Sequence, residues 1–144
     1  MSGAKLGFIP KHIISCMKRI CLLLFFALPL VHAQEKVPAM DGGAGPCALE
    51  LTVTGPEAKP VYAATIKVHI AYGFGGIRRL DLEAGTNSDG KVKFTGLPRR
   101  VHQAPLEFQA SKDDLRGMAT YDPSAECEAT RSITLSKPKA EESH

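Results

Sequence analysis

Two short stretches hold the side chains whose types and spacing could do chemistry. Tyr72, Phe74 and the pair Arg78-Arg79 follow one apolar segment, and Arg99-Arg100 with His102 follow another. A guanidinium pairs with a carboxylate in bidentate fashion, and glycine-flanked aromatics supply stacking area, so the chemistry these residues offer is recognition of an anionic or planar ligand. An anionic small molecule, a carbohydrate or a protein surface would each suit them. The competing arrangement has Phe74 plugging the end of a core while the arginines pair with Asp122, Glu126 and Glu128, as surface charges commonly do.

Other chemistry-bearing residues fit no reactive pattern. Asn87-Ser-Asp-Gly90 begins like a calcium loop, yet the first and twelfth ligand positions of that pattern fall on Gly85 and Gly96, where carboxylates are required. Asp89-Gly90 therefore reads as a turn with glycine at positive φ and Asp89 capping locally. His69, His102 and His144 have no spacing that brings two nitrogens onto one ion. Asp113-Asp114 lies between Lys112 and Arg116 as a solvated turn, and Gly73-Phe-Gly-Gly76 lacks both the phosphate-loop spacing and a following helix. No Gly-x-Ser-x-Gly elbow is present. The expectation is no catalytic residue, no metal site and no cofactor.

The compartment follows from the first 33 residues. Lys18-Arg19 precede the apolar run Cys21 to Val31, and Val31-His32-Ala33 puts small residues at the −3 and −1 positions of a cleavage site before Gln34. This is the pattern of a cleavable secretory signal peptide over residues 1–33, and because Met17-Lys-Arg is a compact n-region by itself, Met17 is an alternative start to Met1. The run is shorter than the roughly 20 residues a membrane-spanning helix needs, so no stable span is expected after processing, a retained anchor being the alternative. A secreted or periplasmic product is implied. Loss of Lys5, Lys11, Lys18 and Arg19 with the leader takes the formal charge from +3 to −1, which removes the basic footprint of a nucleic-acid binder. Cys16 and Cys21 leave too. Cys47 and Cys127 remain, and outside the cytosol two thiols suggest one bridge, free buried thiols being the alternative.

What must position these residues is a set of short strands. Residues 34–46 are rich in Gly, Ala and Pro and read as a flexible leader, and 137–144 as a disordered tail. Between them, over 47–136, the apolar period is two. Leu49, Leu51 and Val53 alternate with polar neighbours, as do Tyr62, Ala64, Ile66, Val68 and Ile70, then Leu80, Leu82 and Ala84. Val92 and Phe94 follow, then Leu106, Phe108 and Ala110, a weaker strand over 117–121, and Ile133 with Leu135. Seven strands with Gly, Pro, Asn and Asp between them predict an all-β, single seven-stranded antiparallel β-sandwich of Ig-like or transthyretin-like type. If each connection reverses direction, Cys47 and Cys127 fall at one end with inward parity. The two arginine loops lie at that same end.

Pro60-Val-Tyr-Ala-Ala-Thr-Ile-Lys-Val68 and Thr86-Asn-Ser-Asp-Gly-Lys-Val-Lys-Phe-Thr-Gly-Leu-Pro98 resemble the carboxypeptidase regulatory-like, or transthyretin-like (prealbumin-like), domains. That family typically carries a Pro-x-x-Gly-Ala-x-Val strand and a Thr-Asp-x-x-Gly-x-Phe-x-Phe hairpin ending in Leu-Pro. Ala63 stands where its glycine is usual, and Arg99-Arg100 replace its Pro-Gly-x-Tyr continuation. The resemblance covers about residues 47 to 135 and implies a non-catalytic binding or accessory module, not an enzyme. Two alternatives are a structural or self-associating envelope protein acting through a sheet edge and a hydrolase similar to the transthyretin-like ureide-processing enzymes, whose Tyr-Arg-Gly-Ser-type ending is missing here.

Overall fold

A computed structural model describes residues 35–140. The signal peptide, its cleavage and the last four residues of the tail lie outside the described residues. Eight strands, β1 (Ala39–Asp41), β2 (Cys47–Thr54), β3 (Thr65–Tyr72), β4 (Arg78–Gly85), β5 (Lys91–Leu97), β6 (Leu106–Lys112), β7 (Leu115–Tyr121) and β8 (Glu128–Thr134), form two four-stranded sheets. Sheet A runs β1-β5-β2-β8 and sheet B runs β4-β3-β6-β7.

The alternation that marks the strands also builds the layers. Leu49, Leu51 and Val53 from β2 and Val92 and Phe94 from β5 face Ile66, Ile70, Phe108 and Ala110 from sheet B, all at most 1% exposed. Removing each large side chain from water stabilises by roughly 1.5–3 kcal/mol. Phe94 and Phe108 meet across the two layers with ring centroids 5.2 Å apart and edges to faces, and Phe108 continues to Tyr121 at 6.4 Å, the geometry that aromatic quadrupoles favour.

The expected sandwich is present, with four corrections. There are eight strands and not seven, because Met40 packs on the core and Ala39–Asp41 pairs with β5 inside the stretch read as a flexible leader. The sandwich is not wholly antiparallel. β2 and β8 run the same way, as a strict reversal of direction requires, and they are neighbours, so their seven-residue ladder is parallel; β1 and β5 are parallel too. Tyr62 is 64% exposed because Ala63 takes a φ of 53° and breaks the period before β3 begins. Finally, the 86–90 segment is not a hairpin but the corner that carries the chain from sheet B to sheet A.

That corner is closed by side chains. Thr86 Oγ1 accepts from the Ala64 N–H at 2.9 Å and donates to the Val61 carbonyl at 2.6 Å. Asn87 Oδ1 accepts from the N–H groups of Asp89 (3.1 Å) and Lys91 (2.9 Å), so the local cap is Asn87 and not Asp89. Gly90 has the positive φ that the turn reading requires, 71°, and a Cβ there would lie 2.4 Å from the Val53 carbonyl oxygen. The opposite end is stapled. Cys47 and Cys127 are bonded, with Cα atoms 4.6 Å apart across 80 residues, and the Tyr121 hydroxyl donates to the Cys127 carbonyl at 2.7 Å.

Candidate functional site

The β3–β4 connection is built from glycines. Gly73, Gly75 and Gly76 all have positive φ (79°, 65° and 69°), and the Ile77 N–H returns to the Phe74 carbonyl at 3.4 Å to close a single 3-10 turn. Such a turn presents its side chains outward. Phe74 is 95% exposed and Ile77 79%, so Phe74 does not plug the core. Tyr72 points the other way, half-buried against the core, and bridges Val101. The His102 N–H donates to the Ala71 carbonyl at 2.7 Å, and the His102 ring lies so close to Gly76 that a Cβ there would sit 2.7 Å from its Cγ. These contacts bring the two arginine-bearing loops together as the direction count expects.

Strand geometry then divides the arginines. Arg79 is paired with Ala71, and Arg78 with Tyr72, at the open end of the β3–β4 ladder. Successive residues of a strand face opposite ways, so Arg79 shares the outer face with Asp81 and Glu83 while Arg78 lies on the inward parity beyond the last core residue. Arg99 and Arg100 follow Leu97-Pro98 and are exposed. None of the four belongs to an ion pair among the described residues. Glu128 pairs with none of them, and the other two acidic residues expected as their partners are otherwise engaged. Asp122 accepts from the Ser124 hydroxyl (2.6 Å) and N–H (2.9 Å), which together hold its carboxyl below the usual range, and Glu126 holds Arg131 at 2.8 Å. Burial, with Glu126 nearby, pushes the Tyr121 phenol up.

A trough of about 990 Å³ opens on the outer face of sheet B beside this tip. It exists because β3 and β6 pair over only Thr65–Lys67 and Gln109–Ser111, after which they part and the 102–105 segment enters between them. Its walls include Arg79, His102 and Glu107, and His69 with Asp81. His69 and Asp81 are directly opposite in the ladder, and His69 Nδ1 is hydrogen-bonded to Asp81 Oδ1. A carboxylate on Nδ1 selects the tautomer that leaves Nε2 unprotonated and able to accept a proton. Next along, Lys67 is neutralised by Glu83 at 3.2 Å, which leaves Arg79 as a trough cation without an anionic partner among the described residues. Among those residues no three of His, Cys, Asp or Glu come together as metal ligands do, and no helix is long and apolar enough to cross a membrane.

Sequence reading missed the His69–Asp81 pair. The signal was there: each lies six residues from Gly75, the centre of the β3–β4 turn. Ile77 was missed as the second apolar residue of the tip.

No protein-family model and no curated protein matches the chain. Among solved structures it is similar to 3-chlorocatechol 1,2-dioxygenase from Rhodococcus opacus 1CP, with a TM-score of 0.48 and 12% identity over 71% of this chain and 64% of that one. It is also similar to chlorocatechol 1,2-dioxygenase from Pseudomonas putida (0.47, 12%, 72% and 68%) and catechol 1,2-dioxygenase from Pseudomonas arvilla C-1 (0.46, 12%, 92% and 71%). The chain thus spans less than two thirds of the first of these. At such values the likeness concerns the β-sandwich alone and transfers neither substrate nor site residue. It does not support the carboxypeptidase regulatory-like or transthyretin-like naming. It also corrects the expectation of a non-catalytic accessory module and of a chain that is no enzyme: these structural neighbours are enzymes, so sandwich architecture is no ground for denying the chain chemistry.

Proposed function

We propose that the trough on sheet B binds a small anionic, hydroxylated molecule and exchanges a proton with it through His69. The observation that supports this reading is the His69–Asp81 pair in the wall of an open trough that also holds Arg79 without an anionic partner. Arg79 supplies the bidentate donor a carboxylate needs. Asp81 orients the imidazole, and His69 Nε2 takes a proton from a bound hydroxyl group or water as a general base. Kinship with the carboxypeptidase regulatory-like and transthyretin-like domains belongs here as well, supported by the positive φ of Ala63 at the position where that family carries glycine.

Calorimetry with lactate, malate and citrate in buffers of different ionisation enthalpy tests the reading. We expect at least one to bind with Kd below about 1 mM and with a buffer-dependent heat that reports proton exchange. Arg79→Gln should weaken binding about tenfold or more, and His69→Gln should abolish the buffer dependence while retaining binding. Absence of heat with all three, or a response indifferent to both substitutions, would overturn the assignment.

A further inference from the structure

We propose that the β3–β4 tip is a lipid-contact device: Phe74 and Ile77 enter the interfacial layer of an anionic bilayer while Arg78, Arg99 and Arg100 engage its headgroups. The five side chains it uses, those of Phe74, Ile77, Arg78, Arg99 and Arg100, do not line the trough. Among the described residues four large hydrophobic side chains are exposed, Tyr62, Phe74, Ile77 and Met118. Two of these four fall within four residues at one apex, and Phe74 at 95% exposure touches almost nothing. A chain that merely needed a turn there would place polar residues between three glycines. Isolated exposed apolar residues are ordinary, but a pair projecting from a glycine-hinged apex with cations behind it is the arrangement that interfacial binding requires.

Shape and charge favour a lipid surface over a protein. A stable protein interface needs roughly 800 Å² on each partner around a packed centre, and a convex apex carrying two apolar side chains provides no such face. A bilayer conforms to whatever is inserted. The cations stand where headgroups would be. Arg78 pairs with Tyr72 in the last register position of the ladder, and Arg99 and Arg100 lie immediately before Val101, which bridges Tyr72. All three are exposed and outside every ion pair among the described residues. Their aliphatic stems can lie along the bilayer surface while the guanidiniums remain at phosphate depth. Each basic residue near an anionic surface contributes about a fivefold gain in partitioning, so three together contribute on the order of a hundredfold.

The chain contains no tryptophan, so the full chain carrying Phe74→Trp reports from this site alone. With phosphatidylglycerol vesicles its emission should move to shorter wavelength and be quenched by brominated acyl chains, whereas phosphatidylcholine vesicles should leave it unchanged. Tyr62→Trp, at the far end of β3, serves as the comparison and should respond to neither; that control separates tip insertion from adsorption through any other segment. Adding Arg78→Gln, Arg99→Gln and Arg100→Gln to the Phe74→Trp protein should lower partitioning on the order of a hundredfold. No response of the Phe74→Trp protein to phosphatidylglycerol would overturn the proposal and leave a protein partner for the tip. Equal responses from positions 74 and 62, or from both lipids, would overturn it equally.

Discussion

The two ends of β3 are finished in opposite ways. At its start, Ala63 and Ala64 are tied to Thr86 by backbone and side chain, and Asn87 Oδ1 fastens the corner beyond, so that side-chain oxygens are turned inward onto the backbone. At its finish, three glycines bend the chain, two apolar side chains face outward, and arginines stand without carboxylate partners. The contrast shows which end is scaffold. One end uses its side chains to hold the backbone, and the other leaves them free around a glycine turn, which is where the proposed lipid contact is placed.

Breaking the disulfide gives the largest expected effect and checks that the open end is stapled and not loose. Cys47→Ser with Cys127→Ser should cost about 4 kcal/mol, the chain-entropy value for a loop of this length, measured by urea denaturation. Thr86→Val should cost about 2 kcal/mol, because it strips partners from the Ala64 N–H and the Val61 carbonyl in a buried setting. Ala63→Gly acts in the other direction. It should stabilise by about 0.5–1 kcal/mol, since relief of the left-handed strain exceeds the added entropy of the unfolded chain. Phe74→Ser with Ile77→Ser should change stability by less than about 0.5 kcal/mol, and a large loss there would erase the difference between the ends.

Much of this frame was legible beforehand because period-two patterning is a direct consequence of strand geometry. The inward sets of β2 to β6, the placing of Cys47 and Cys127 at one end and the meeting of the two arginine loops follow from parity and direction. What could not be read is equally physical. β1 is three residues long and lies within a Gly-, Ala- and Pro-rich stretch, too short for alternation to register, because an edge strand held by ladder bonds needs little apolar signal. The parallel β2–β8 ladder depends on which strands become neighbours, which alternation does not encode. Alternation alone turns Tyr62 inward, because its apolar character keeps the rhythm that the backbone of Ala63 interrupts. The trough arises from the early parting of β3 and β6, a tertiary event with no local signature, and the disjunction of Arg78 from Arg79 appears only once strand register is known.

The most direct test of the central claim, that His69 is held by Asp81 for proton exchange in the trough, is the imidazole nitrogen spectrum of the ¹⁵N-histidine-labelled chain at about pH 8, where an ordinary imidazole is neutral. The expected result is His69 with its proton on Nδ1 and a free Nε2, reverting to the solution mixture of tautomers in Asp81→Asn and shifting when the bound hydroxycarboxylate is added to the native chain. A His69 spectrum that is already the solution mixture, unchanged by Asp81→Asn and by the ligand, would contradict it.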